Sequence, residues 1–107
     1  MKAVELFEQT LPRILQDSPR RAQEVGGSFL FILSGEGGGT WHVDLERTPP
    51  QVGREDGAAR CTIEAEARDF EEMLEQPAQV LRLYKEGRLR VTGDLELASR
   101  LHLLFAE

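Results

Sequence analysis

The sequence predicts an α+β domain, with helices on one side of a mainly antiparallel sheet. Three observations carry this expectation. Apolar residues recur at helical spacing toward both ends of the chain, they alternate with polar ones in its middle, and glycine or proline stands where the period changes. The 107 residues suit one compact domain, residues 1–107. An apolar fraction of 40% is that of a globular chain rather than a disordered one.

Taken in order, Ala3, Val4, Phe7 and Leu11 share one side of an opening helix, which Pro12 is expected to interrupt before Ile14 and Leu15. Asp17-Ser18-Pro19 carries the start signals of a second helical piece, which stops at Gly26-Gly27. The period then becomes two. Phe29, Phe31 and Leu33 point one way and Leu30 and Ile32 the other, so this strand is apolar on both faces, as suits a central position. Beyond Ser34–Gly39, Trp41, Val43 and Leu45 alternate with His42, Asp44 and Glu46, completing an antiparallel hairpin. Residues 51–54, after Pro49-Pro50, suit a short edge strand. Cys61, Ile63 and Ala65 mark a third clear strand.

Asp69, with Glu72 three residues on, reads as the cap of the next helix, whose apolar face is Phe70, Met73 and Leu74. Gln76-Pro77 ends that helix and starts another, with Val80, Leu81 and Tyr84 as its buried stripe and Gly87 as its stop. Leu89 and Val91 alternate with Arg88 and Arg90 in a last strand. Arriving after two helices, that strand is placed to lie parallel to a neighbour and make the sheet mixed. Gly93-Asp94 then opens a final helix bearing Leu97, Ala98, Leu101, Leu104 and Phe105 on one side.

The charge balance is acidic, 19 Asp+Glu against 13 Lys+Arg, for a net −6. That argues against a nucleic-acid partner, which needs clustered cations. A lone Cys61 makes no disulfide framework or cysteine zinc site within the monomer and suits a reducing cytoplasm. Neither a membrane-length apolar run nor a basic-then-apolar leader is seen, and Phe105-Ala106-Glu107 is not a peroxisomal signal. A cytoplasmic domain is expected.

The catalytic inventory is thin. His42 and His102 read as surface or partly buried imidazoles, and no nucleophile-elbow spacing joins them to Ser28, Ser34 or Ser99. Cys61 reads as a small core residue. The Gly35–Gly39 run lacks the Lys-Ser/Thr of a phosphate loop and sits between strands, so it reads as a hairpin connection. Asp44, Glu46, Glu64 and Glu66 are expected on the outer sheet face as solvated charge, without a bound metal. Arg82, Lys85, Arg88, Arg90 and Arg100 gather in the last third, either as ordinary surface charge or as a site for anionic headgroups.

Three tracts in combination carry a family signature. Ala59-Arg60-Cys61-Thr62-Ile63, then Arg68-Asp69-Phe70, then Gly87-Arg88-Leu89-Arg90-Val91-Thr92-Gly93-Asp94 resemble the sterol-carrier-protein-2 (SCP-2-like) domain. Leu33–Gly38 with Trp41 resembles that family's first hairpin, and Phe7 to Pro12 its opening helix, so the likeness covers essentially the whole chain. The resemblance implies a five-stranded mixed sheet covered on one face by about five helices. It also implies a hydrophobic tunnel between them for a sterol, fatty acid, acyl-CoA or isoprenoid-like chain, with no cofactor. Carried over by position, the implied lining is Phe29, Phe31 and Leu33, then Trp41 and Val43. The middle helices would add Phe70, Met73, Leu74, Leu81 and Tyr84, and the last helix Leu101, Leu104 and Phe105 as a lid.

Two departures stand out. Gln76-Pro77 replaces a Gly-Lys turn that is frequent in the family, and Leu30 and Ile32 occupy outward positions that are often polar. That pair reads either as a homodimer or partner surface, or as apolar surface covered by another segment. The expected function is non-enzymatic carriage of a lipid-like molecule, with transient membrane contact allowed. The alternative is an interaction module with the same fold and a filled core, accessory to a lipid-metabolising enzyme. Burying a sixteen-carbon chain yields roughly 12 kcal/mol of gross transfer energy. Immobilisation removes about 4–15 kcal/mol of it, so micromolar to high-nanomolar affinity is expected.

Overall fold

The computed structural model describes residues 1–105. A helical run opens it: α1 (Ala3–Glu5), a π-helical turn (Leu6–Thr10) and α2 (Leu11–Asp17) follow one another directly. The expected interruption at Pro12 is therefore corrected. Proline has no N–H to return to the preceding turn. The helix widens just upstream instead, where the Leu11 N–H donates to the Leu6 carbonyl five residues back. This bulge delivers Leu6, Phe7, Thr10 and Leu11 to the interior. α3 (Pro19–Val25) ends as expected at Gly26 and Gly27, both with positive φ. Gly27 has a packing reason as well, since a Cβ there would stand 2.5 Å from Leu97 Cδ2.

The sheet comprises β1 (Ser28–Ser34), β2 (Gly39–Asp44), β3 (Gln51–Gly53), β4 (Cys61–Glu66) and β5 (Leu89–Gly93), in the order β3-β2-β1-β4-β5. The hairpin, the edge strand and the central place of β1 are as the sequence predicts. The parallel pair is not. β5 runs antiparallel to β4, and it is β4 that lies parallel to β1. The reason is the connection from β3, which crosses to the far side of β1, so β4 enters running as β1 does. Along that crossing the Ala58 carbonyl meets His42 Nε2 at 2.8 Å. His42 is the register partner of Leu30. Leu30 is only 6% exposed and Ile32 is half-buried, so the pair is not the open apolar surface that one of its two readings required.

α4 (Ala67–Glu75) follows β4 without a gap, two residues before the expected start. Glu66 holds the cap position, and Asp69 is not a cap. It is buried in the first turn, where its Oδ1 accepts from Arg88 Nη2 at 2.6 Å. A 3-10 turn (Pro77–Gln79) leads into α5 (Val80–Lys85), and here the sequence reading is reversed. Val80, Leu81 and Tyr84 are 40%, 59% and 49% exposed, while Leu83 is 1% exposed. Burial of Leu83 in the core sets the rotation, and Arg82, one position back, is left at the surface within 3.2 Å of Glu72 on α4. At about 100° per residue Leu81 then lies roughly 160° and Tyr84 roughly 100° around the helix from Leu83, with Val80 at the border of the buried side.

The Asp94 side chain caps α6 (Leu95–Ser99), accepting from the Leu97 N–H at 3.0 Å as expected. The single final helix of the sequence reading is instead broken at Arg100. The Ser99 hydroxyl donates to the Glu96 carbonyl at 2.6 Å, and the Arg100 N–H turns to the Leu97 carbonyl at 3.1 Å. A separate α7 (Leu101–Phe105) follows and packs beside α3. No helix of the described residues is long and apolar enough to cross a membrane.

The two sides of α5 differ enough to be measured. Leu83→Ala is expected to cost about 2–5 kcal/mol in urea unfolding. Leu81→Ala is expected to stay within about 0.5 kcal/mol. Equal losses would contradict the observed rotation.

Candidate functional site

Register places whole cross-strand rows on the helix-covered face. Phe31 stands between Trp41 and Ile63, Phe29 between Val43 and Cys61, and Leu33 between Gly39 and Ala65. Phe7 comes down from the π-helical turn onto this row. Its ring lies 4.9 Å from Phe31, 4.8 Å from Trp41 and 5.7 Å from Phe70, centroid to centroid. Phe105 closes the far side, 6.3 Å from Phe31 and 6.2 Å from Phe70. Such pairs add about 0.5–1.5 kcal/mol each beyond the area they bury. Side chains therefore meet across the space between sheet and helices.

Of the residues expected to line a tunnel, Phe29, Phe31, Leu33, Trp41, Val43, Phe70, Leu101 and Leu104 share one buried cluster. Met73, Leu74 and Phe105 pack partly buried against it. Leu81 and Tyr84 do not join them, because α5 turns both outward. Two contributors escape the sequence reading as site residues. Phe7 is legible there as a core position, but not as the ring that joins the others. Leu83 is hidden by the apparent stripe beside it.

Polar groups sit around this interior rather than in it. The Arg54 guanidinium lies over the Trp41 ring at 5.1 Å while donating to Glu8 at 3.4 Å and to the Gly38 carbonyl at 3.3 Å. Trp41 Nε1 is buried and has no hydrogen-bond partner among the described residues. At the opposite rim Arg88 binds Asp69 at 2.6 Å and Glu86 at 3.1 Å. Its hydrogen bonds to Asp69 and then Glu86 hold the guanidinium above its usual range, so it stays charged. Arg82 pairs with Glu72 and Glu86, and Arg90 with Glu64 at 2.7 Å. Three of the five cations read as a headgroup site are thus engaged with carboxylates. The outer-face carboxylates are paired too, Asp44 with Arg47, Glu46 with Arg60 and Glu66 with Arg68.

Two of the three serine candidates and His42 are occupied elsewhere. The Ser28 hydroxyl accepts from the Arg60 N–H at 3.0 Å, the Ser99 hydroxyl donates to the Glu96 carbonyl, and His42 spends Nε2 on Ala58. The His102 side chain lies outside the described residues. Among the described residues, no three His, Cys, Asp or Glu side chains are grouped to hold a metal. A polar surface depression of about 400 Å³ lies by His42, Asp44 and Arg47, on the other side of the sheet from the aromatic cluster.

The chain matches the SCP-2 sterol transfer family over residues 7–106, and it belongs to that family. It is 30% identical over 102 residues to hydroxysteroid dehydrogenase-like protein 2 of Mus musculus, covering 89% of this chain and 20% of that one. With sterol carrier protein 2 of Homo sapiens it shares 28% over 107 residues, covering 96% of this chain and 20% of the relative. It therefore spans about a fifth of these curated relatives. Palmitated SCP2L2 from Aedes aegypti superimposes with a TM-score of 0.71 at 22% identity, over 100% of this chain and 96% of that one. At that identity the likeness is one of fold.

Cys61 supplies a measurable signature of this interior. Burial pushes its thiol above the ordinary value, with the charge of Asp94 adding to the effect. A raised folded value means the folded state keeps its proton longer than the unfolded one. This contribution to stability is full below about pH 8.5 and is lost as pH rises through the folded value. Urea midpoints of the wild type should therefore fall more between pH 7 and pH 10 than those of Cys61→Ala. Parallel declines would contradict the assignment.

Proposed function

We propose that this chain binds a lipid-like apolar molecule between the sheet and its C-terminal helices, carries it and releases it without catalysing a reaction. The observation that carries this reading is how the interior is closed. α7 is a five-residue helix, too short to hold its form unaided. It follows the break at Arg100 and stands on Phe31 and Phe70 through Phe105. Swinging it away uncovers an aromatic face while leaving the sheet and its hydrogen bonds intact. Family membership supports a lipid guest, and the palmitated neighbour supports a fatty-acyl one. The proposed lining is the inner row of β1 and β2 with Phe7, Phe70 and α7; Leu81 and Tyr84 take no part in it.

The magnitudes suit a carrier. A sixteen-carbon guest yields roughly 12 kcal/mol on burial, and this must offset both its own immobilisation and the displacement of α7. Net affinity falls in the micromolar to high-nanomolar range. A second reading, service to a lipid-metabolising enzyme, draws on the longer dehydrogenase-like relatives and on the outward stripe Val80, Leu81 and Tyr84. In that reading the stripe meets the partner while the carrier site works unchanged.

Delipidated protein should bind a fluorescent fatty acid, an acyl-CoA or a sterol with a Kd of about 10 µM or tighter. Phe105→Ala, which removes two ring contacts from the lid, should release the probe several-fold faster. No binding of any of the three probes would end the carrier reading.

A further inference from the structure

We propose that Trp41 Nε1–H is the donor that selects the guest, so that the carried molecule is an apolar chain bearing an oxygen acceptor rather than a plain hydrocarbon. This deepens the carrier reading above and rests on it. Trp41 is fully buried on the inner face of β2, and its Nε1 is the buried side-chain polar atom left without a partner among the described residues. A buried N–H with no acceptor lowers stability. Phenylalanine would satisfy the same apolar surroundings without that cost, and the chain uses phenylalanine at Phe7, Phe31 and Phe70 around it.

Placement decides what the donor can meet. The ring is stacked on Phe7 and is the register partner of Phe31, and Phe31 in turn meets Phe105, so a guest that takes the place of Phe105 reaches the row to which Trp41 belongs. An indole N–H donates and cannot accept. Its complement is an oxygen lone pair, as in a carboxylate, an ester carbonyl or a hydroxyl. A hydrocarbon would leave the N–H as unsatisfied as it is without the guest. Arg54 stands over the same ring, half exposed and held by Glu8 and the Gly38 carbonyl. The polar end of a guest seated here would find a donor inside and a cation at the rim, both suited to an oxygen acceptor.

The chain has one tryptophan, so a ¹⁵N-labelled sample shows one indole N–H signal. The probes are dodecanoate, 1-dodecanol and dodecane, matched in length; the two oxygenated ones separate a carboxylate from a hydroxyl as acceptor. The indole proton should move downfield with at least one oxygenated probe and not with dodecane. Trp41→Phe, checked for folding by its thermal melt, should lose about tenfold in affinity for that probe relative to dodecane. Equal indole responses to all three, or equal losses in the variant, would overturn the proposal while leaving the carrier reading in place. If none of the three binds although a fluorescent fatty acid, acyl-CoA or sterol does, this proposal is overturned and the carrier reading stands; if those fail as well, the carrier reading falls with it. The indole measurement needs only wild-type protein, so the proposal stays testable even if Trp41→Phe fails to fold.

Discussion

Phe7 against Phe31, Trp41 and Phe70 is the contact on which the rest of the structure depends. The four rings come from four elements: the π-helical turn, β1, β2 and α4. Their meeting holds the N-terminal helices to the sheet. The parallel pairing of β1 with β4 makes it geometrically available, because it sets Ile63 beside Phe31 and brings α4 straight off β4 across the same face. Asp69 next to Phe70 then binds Arg88, so α4 is tied to the turn that leads into β5. One cluster of rings and one partly buried ion pair thus fix helices on both sides of the sheet's centre.

Charge is handled at the periphery. Most arginines of the sheet and middle helices sit beside a carboxylate, and exposed pairs of this kind contribute little each. Their value lies in orientation. Arg82 with Glu72 joins α5 to α4, and Arg54 with Glu8 keeps a guanidinium over Trp41. The interior between sheet and helices is left to apolar contact, with Trp41 Nε1 as the polar atom that finds no partner among the described residues. On the proposed reading, selectivity in such an interior comes from shape and from that one donor, while affinity comes from buried area.

Much of this fold is legible in the residues alone, for physical reasons that differ by element. An apolar run in 28–34 beside clean alternation in 39–45 marks the central hairpin, since a strand buried on both faces and a half-buried partner each show their burial directly. The Gly93-Asp94 passage marks the last cap, because few residues other than Asp, Asn, Ser or Thr can fill that place. Legibility ends where a non-local contact outranks a local signal. Val80, Leu81 and Tyr84 form a plausible helical stripe, yet the core contacts take Leu83 instead and leave that stripe outside. Pro12 is a breaker by local rules, and a π-helical turn absorbs it. Asp69 has the spacing of a cap, but a buried carboxylate beside Arg88 is worth more in that place. In the candidate site the sheet residues read correctly as inward-facing because period two leaves no freedom. The short α5 does not, because one and a half turns leave its rotation open.

The packed interior and the carrier reading are reconciled by unequal stability along the chain. The rings of Phe7, Phe31, Trp41 and Phe70 are anchored in long helical or strand neighbours, whereas Phe105 is anchored only in α7. Local openings draw on segments with little hydrogen bonding of their own, and α7, five residues long after the break that Ser99 and Arg100 create, answers that description even though it packs on α3. A guest that replaces Leu104 and Phe105 against Phe31 and Phe70 restores the apolar burial that opening gives up, so the exchange runs close to balance. Near-balance is what a carrier requires, since a guest held by the full transfer energy would never leave. On the carrier reading the filled core is then no obstacle: the side chains of α7 stand in the place proposed for the chain, and the exchange sets how tightly it is held.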